Sequence, residues 1–305
     1  MITNFDGLIS KVKECSKKVV AVACAQDDAV LEAVAAAKER GIADAILVGD
    51  EEKIRAIAAS VNVDLEGFRI INEPDNWQAA LTAVKLAHDG EADMYMKGLI
   101  DTKSFLKSIL DKEVGLRTGR PLSHVAVFDV EALPQLLFLT DAAFMTYPTL
   151  EDKVHLIENA VEVAHACGLE CPKVAPLAAV EVVNPKMPCT VEAAELTKMN
   201  LEGKITGCIV DGPLSMDIAI DPEAARHKGA LDRRVAGDAD ILLFPDIHAG
   251  NLVYKVLVHT TNTRLGGLLV GTKVPAILTS RSDDFETKVN SIALAAVVAE
   301  SLKNK

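Results

Sequence analysis

Val19-Val20-Ala21-Val22-Ala23-Cys24 is a short aliphatic run. Ala25-Gln26-Asp27 interrupts it, Asp28–Arg40 has helical spacing, and Ala45–Val48 begins the next aliphatic run. Neither run alternates apolar with polar, which is how a strand covered on both faces reads. The same rhythm continues outward. Further strand candidates are Arg69–Ile71, Met94–Met96, His124–Phe128, Leu136–Leu139, Val174–Ala179, Cys208–Val210, Ile241–Phe244, Gly267–Val270 and Ala276–Leu278. Helical spacing fills intervals at Trp77–His88, Lys103–Leu110, Glu151–Cys167 and Asp284–Leu302. Strands that alternate with helices predict an α/β fold with mainly parallel sheets.

With 305 residues the chain is long enough for two domains, and the hydrophobic half of it is almost free of aromatics, at 4%. Small aliphatic side chains suit helices packed closely on a buried sheet. The turn-rich stretch Thr140–Pro148 marks a boundary, and Thr149 with Asp152 can cap the helix after it. The segment from Val270 to Thr279 leads back to a final strand and helix. The expected division is therefore residues 1–133 plus 275–305 in one domain and 134–274 in the other.

A formal charge of −12 repels phosphate backbones and argues against a nucleic-acid partner. A small anionic substrate is compatible with it, because a few clustered cations set the local potential. Six scattered cysteines show no zinc spacing and read as reduced thiols. The amino terminus MITNFDGLISKVKECSKK reads as an amphipathic helix without a signal-peptide core, and no apolar run approaches ~18 residues. A cytoplasmic protein with no membrane partner and no metal is expected.

Three strand ends are the candidates for the chemistry. At Leu278-Thr279-Ser280-Arg281-Ser282-Asp283-Asp284 a buried strand gives way to a helix. Open α/β sheets bind ligands at such carboxyl ends, where an arginine can grip a phosphate and a serine can donate to an oxyanion. A simpler role also fits, with Ser282 capping the helix and Arg281 pairing with Asp283 or Asp284. At Met96-Lys97-Gly98-Leu99 another strand ends on a glycine. Lys103, Lys107, Arg117 and Arg120 follow, either as a positive pocket mouth with Lys97 or as a solvated helix face. At Phe244-Pro245-Asp246-Ile247-His248-Ala249-Gly250-Asn251 the glycine and Asn251 would let a ligand approach the backbone, and His248 is either a catalytic group or a hydrogen-bonded bystander. Asn184-Pro185-Lys186-Met187-Pro188 is a further turn of this kind.

Several familiar readings fail. Gly266 to Lys273 places Thr272 before Lys273, the reverse of a Walker loop. No GxGxxG follows the first strand, and no Gly-x-Ser-x-Gly elbow occurs. His155 and His165 do not share a helix face and are no ligand pair.

The ordered series Met96-Lys97-Gly98-Leu99, Val114-Gly115-Leu116-Arg117-Thr118-Gly119, Ser123-His124-Val125-Ala126-Val127-Phe128, Val182-Val183-Asn184-Pro185-Lys186-Met187-Pro188, Ile209-Val210-Asp211-Gly212-Pro213, Val235-Ala236-Gly237-Asp238-Ala239-Asp240 and Leu278-Thr279-Ser280-Arg281 resembles the phosphate acetyltransferase/phosphate butyryltransferase family. The resemblance runs from about Val19 to Leu302. It implies two three-layer α/β domains, similar to the isocitrate/isopropylmalate dehydrogenase architecture, with an active-site cleft between them in a homodimer or higher homo-oligomer. It implies acyl transfer between coenzyme A and inorganic phosphate, with coenzyme A a substrate and no cofactor.

The resemblance places Ser280 and Arg281 at the reacting centre. Lys97, Gly98, Lys107, Arg117, Asn184, His248, Gly250 and Asn251 are the expected contacts to coenzyme A or phosphate. Where acetyltransferases carry a carboxylate base seven residues past the serine, this chain has Thr287, so Asp283, Asp284 and Glu286 are the substitute candidates. Lys107 stands where an arginine is usual, and the arginine-bearing segment before Trp77 is missing. These departures tilt the resemblance toward the butyryltransferase branch. The alternatives are an acetyltransferase acting on acetyl-CoA, a nicotinamide-dependent dehydrogenase without the glycine fingerprint, and a catalytically degenerate coenzyme A-binding protein.

Overall fold

The computed structural model describes residues 2–278 and 283–303. In chain order the elements are α1 (Phe5–Val12), β1 (Lys18–Ala23), α2 (Asp28–Glu39), β2 (Ala43–Gly49), α3 (Glu51–Ser60), β3 (Arg69–Asn72), α4 (Asn76–His88), β4 (Met94–Lys97), α5 (Thr102–Ile109), β5 (Ser123–Val130) and β6 (Leu137–Thr140). There follow α6 (Leu150–Ala166), β7 (Lys173–Pro176), α7 (Pro188–Leu201), β8 (Ile209–Val210), α8 (Met216–Ile220), α9 (Pro222–His227), β9 (Ile241–Leu243), α10 (Ile247–Thr260), β10 (Thr263–Val270), β11 (Ala276–Ile277) and α11 (Phe285–Lys303). The α/β class expected from the aliphatic runs is what forms.

The chain divides into a split unit, residues 5–122 with 264–305, and a central unit, residues 1–4 with 123–263. In the split unit the strand order is β3-β2-β1-β4-β11-β10. Every pair from β3 to β11 is parallel, and β10 runs antiparallel to β11. In the central unit the order is β5-β6-β9-β7-β8, parallel except for β5 against β6. Against the division expected from sequence, β5 falls in the central unit and β10 in the split unit. Both are the antiparallel strands of their sheets; the sequence marks each as a strand, but a pattern tuned to parallel crossovers does not say which sheet it joins.

In the split unit β1, β2 and β3 step one way, and β4 then returns to the other flank of β1. Each crossover helix starts at the same carboxyl edge, and aspartates cap four of them. Asp27, Asp50, Asp75 and Asp101 accept hydrogen bonds from the backbone N–H groups of Val30, Lys53, Gln78 and Ser104. A carboxylate at the N-cap satisfies an orphan donor and complements the helix dipole, contributing about 1 kcal/mol each. In the central unit Thr149 and Asp152 form the reciprocal capping box that their spacing predicts.

The core of the split unit is closed by stacked Tyr95 and Phe105, with ring centroids 4.6 Å apart, and by α11. From Thr287 to Ala299 every residue of α11 is buried, so the helix has no polar stripe. Its approach explains Gly266. A Cβ there would lie 3.1 Å from the Asn290 carbonyl carbon and the Ser291 nitrogen, while Ser291 Oγ accepts from Gly267 N–H at 3.0 Å. Glycines weaken a strand signal, and β10 accordingly starts four residues earlier than its aliphatic run suggests.

Lys18 is fully buried at the start of β1, where its ammonium pairs with Glu300 of α11. Removing only the carboxylate strands a buried cation, whereas removing the cation leaves a partly exposed glutamate. Glu300→Ala should therefore cost about 2–3 kcal/mol in denaturant unfolding, and Lys18→Met much less.

Candidate active site

Ligands of open α/β sheets bind outside the carboxyl ends of strands where the connections diverge. In the split unit that point lies between β1 and β4. Gly98 follows β4, and its N–H donates to Ala23 O at 2.9 Å, while Leu99 N–H donates to Cys24 O at 2.7 Å. A Cβ on Gly98 would fall 2.3 Å from the Cys24 carbonyl oxygen and 2.6 Å from that of Ala23. Gly98 is thus demanded by backbone lying on backbone. Lys97, 7% exposed, donates to Gly98 O at 3.5 Å.

Cys24, at φ 55°, donates its thiol to Asn76 O at 3.4 Å, and the Gln26 amide donates to Asn76 Oδ1 at 3.3 Å. These bonds fasten the end of β1 to the start of α4. Burial, reinforced by Asp75 and opposed by Lys97, pushes the Cys24 thiol up to about 12. At neutral pH it is protonated and is no nucleophile.

The five cations that cluster in sequence separate in space. Lys97 lies at the carboxyl edge. Lys107, exposed on α5, places its ammonium 4.3 Å from the centre of the Trp77 ring. It borders an open groove of about 880 Å³ that is also lined by Lys103, Leu106, Leu110 and Lys112. Arg117 bridges Thr272 in the turn before β11, Lys273 N–H donates to Leu116 O, and Thr118 Oγ1 donates to Gly271 O at 2.7 Å. That turn is at the amino edge, so Arg117 and its neighbour Arg120 sit at the opposite end of the sheet from Lys97.

In the central unit Gly250 is buried because α10 presses on the strand end. A Cβ there would meet Asp141 O at 2.5 Å. Asn251 donates to Ala142 O at 3.0 Å, and Asp246 accepts from the backbone of His248 and Ala249. Exposed His248 shares a 2.8 Å hydrogen bond with the Tyr147 hydroxyl. Asn184 makes a local turn, its side chain accepting from Lys186 N–H and its own N–H donating to Thr190 Oγ1.

A cluster beyond β7 and β8 escaped the sequence reading. Ser215 contacts the carboxylates of Glu181 and Asp217, and Lys228 pairs with both at 3.7 and 2.8 Å. Hydrogen bonds from Lys228 and then Ser215 hold Asp217 down to about 2. These four residues come from three turns without a shared spacing, so only the fold assembles them.

β11 lies beside β4 with Ile277 opposite Met96, so the chain leaves β11 at the same carboxyl edge as Lys97. Ser280 and Arg281 lie outside the described residues. Of the candidate bases, Glu286 is gripped by both guanidinium nitrogens of Arg40 at 3.0 and 2.7 Å, and these bonds hold it below the usual carboxylate range. Asp284 accepts from Thr287 N–H at 2.7 Å, and the Asp283 carbonyl accepts from Lys288 Nζ at 2.6 Å. Thr287 is buried. Among the described residues no set of three or more His, Cys, Asp and Glu side chains is arranged to hold a metal, and no helix is long and apolar enough to cross a membrane.

The sequence matches the family described as "Phosphate acetyl/butaryl transferase" over residues 5–79 and 68–296. The chain belongs to this family. It is 58% identical to a phosphate butyryltransferase of Clostridium acetobutylicum over 299 residues, 98% of this chain and 99% of the relative. It is 46% identical to a phosphate acetyltransferase of Thermotoga maritima over 282 residues, 92% of this chain and 95% of the relative. The crystal structure of a branched-chain phosphotransacylase from Enterococcus faecalis superposes with a TM-score of 0.82 at 35% identity, covering 92% of this chain and 99% of that one.

The glycine contact gives a direct check. Gly98→Ala should lower the melting temperature by roughly 5–10 °C, since overpacking against backbone costs about 2–3 kcal/mol. Retention of the wild-type melting temperature would show that the two strand ends are not so tightly joined.

Proposed function

We propose that the chain is a phosphate butyryltransferase, catalysing butanoyl-CoA + phosphate = butanoyl phosphate + CoA reversibly. The reading is carried by its end-to-end likeness to the Clostridium butyryltransferase, 58% against 46% for the Thermotoga acetyltransferase. Coenzyme A is a substrate in this reading, and no cofactor takes part.

A phosphate oxygen attacks the acyl carbonyl in a ternary complex, a tetrahedral oxyanion forms, and the C–S bond breaks as the thiolate leaves. The proton lost by phosphate ends on the thiol. Ser280 and Arg281 are assigned to the developing charge, Ser280 at the oxyanion or thiolate and Arg281 at the phosphoryl or carbonyl oxygen. Positioning and charge stabilisation then supply most of the acceleration. The buried, protonated Cys24 thiol at this edge is not itself a nucleophile for an acyl-enzyme. Asp283, Asp284 and Glu286 stay the candidates for the base, with Glu286 paired to Arg40 and Asp284 accepting from Thr287 N–H.

A homo-oligomer belongs to the same reading. The helix α10 buries only Gly250 and exposes Leu252 by 67% and Val256 by 58%, which gives the central unit an apolar surface for a second copy.

The test is release of free thiol from butyryl-CoA and acetyl-CoA, with and without phosphate. Strict phosphate dependence with butyryl-CoA favoured is expected, and Ser280→Ala should lower kcat by about 10²–10³. A preference for acetyl-CoA would make it an acetyltransferase. Coenzyme A binding without turnover would sink the enzymatic reading.

A further inference from the structure

Trp77 is the only tryptophan in the chain, and the ammonium of Lys107 rests over its ring. Lys107 is exposed on α5, where a solvated lysine ordinarily pairs with an acid one turn away. Asp111 occupies that position, but its carboxylate accepts the N–H groups of Glu113 and Val114 at 2.8 and 3.0 Å in the following loop. Lys107 is near enough for its charge to favour the Asp111 carboxylate, yet forms no direct ion pair among the described residues. An aromatic face attracts a cation without consuming its N–H donors, so the ammonium is held in place yet open to an anion. The groove beside it carries two more lysines, Lys103 and Lys112, against two acids, Asp111 and Glu113, on walls of Leu106 and Leu110.

We propose that Trp77 is a positioning residue that holds Lys107 at this groove to receive a phosphate group of coenzyme A. The proposal rests on the acyltransferase reading. An arginine fork has built-in geometry, while a lysine is a point charge on a flexible stem. The ring of Trp77 supplies the direction the stem lacks. It is itself fixed by α4, whose first residue Asn76 is bonded to Cys24 and Gln26 at the end of β1.

Because Trp77 is unique, its fluorescence reports the contact. Titration with coenzyme A should change the emission as the ammonium turns toward phosphate, and inorganic phosphate at the same ionic strength should not. In steady-state assays Trp77→Leu should raise KM for acyl-CoA roughly three- to fivefold, with KM for phosphate and kcat nearly unchanged, and Trp77→Phe should recover most of the loss. An emission change with inorganic phosphate alone would overturn the assignment to coenzyme A. So would unaltered emission, or a Trp77→Leu variant with unchanged KM. Should Trp77→Leu fail to fold, the titration of the unmodified protein and the Trp77→Phe kinetics still decide. Absence of phosphate-dependent thiol release would sink the acyltransferase reading without touching the fluorescence result.

Discussion

The split unit depends on one close approach. At Gly98 the backbone leaving β4 lies directly on the carbonyls of Ala23 and Cys24 at the end of β1. No side chain fits there, and the approach fixes how far apart the two diverging connections can be. The substrate candidates at the carboxyl edge of this unit are arranged around it. Lys97 is held beside it, β11 delivers its carboxyl end one strand away, and the Cys24–Gln26 segment ties in the start of α4 with Trp77.

The same constraint shapes the electrostatics. Aspartates occupy the N-caps of α2, α3, α4 and α5, so those helix termini are already neutralised and offer little to an incoming anion. Positive charge for a phosphate-bearing substrate has to come from side chains. In a chain of net charge −12 this makes the few cations at the edge decisive, and it gives meaning to Lys107 resting on an aromatic ring rather than on a carboxylate.

Much of this was legible in the sequence, for identifiable reasons. The buried parallel strands announce themselves as short aliphatic runs, and the Thr149–Asp152 box forms where its spacing puts it. What stayed hidden depends on partners distant in the chain. Gly98 and Gly250 stand out in the sequence only as glycines at strand ends, and the backbone each one packs against comes from distant segments. The turn that Asn184 makes with Lys186 and Thr190 is likewise not spelled out by spacing. Lys97 and Arg117 look like one patch because α5 and its loop are short, yet that helix carries the chain from one edge of the sheet to the other. The tyrosine beside His248 lies about a hundred residues away, beyond the reach of any local pattern.

The most direct test of the account is amide hydrogen exchange of the whole protein with and without coenzyme A. If the substrate binds at the carboxyl edge where β1 and β4 diverge, residues 24–28 and 97–101 should exchange more slowly in its presence, while residues 115–120 and 271–274 at the opposite edge stay as they were. Protection confined to the amino-edge segments would contradict it.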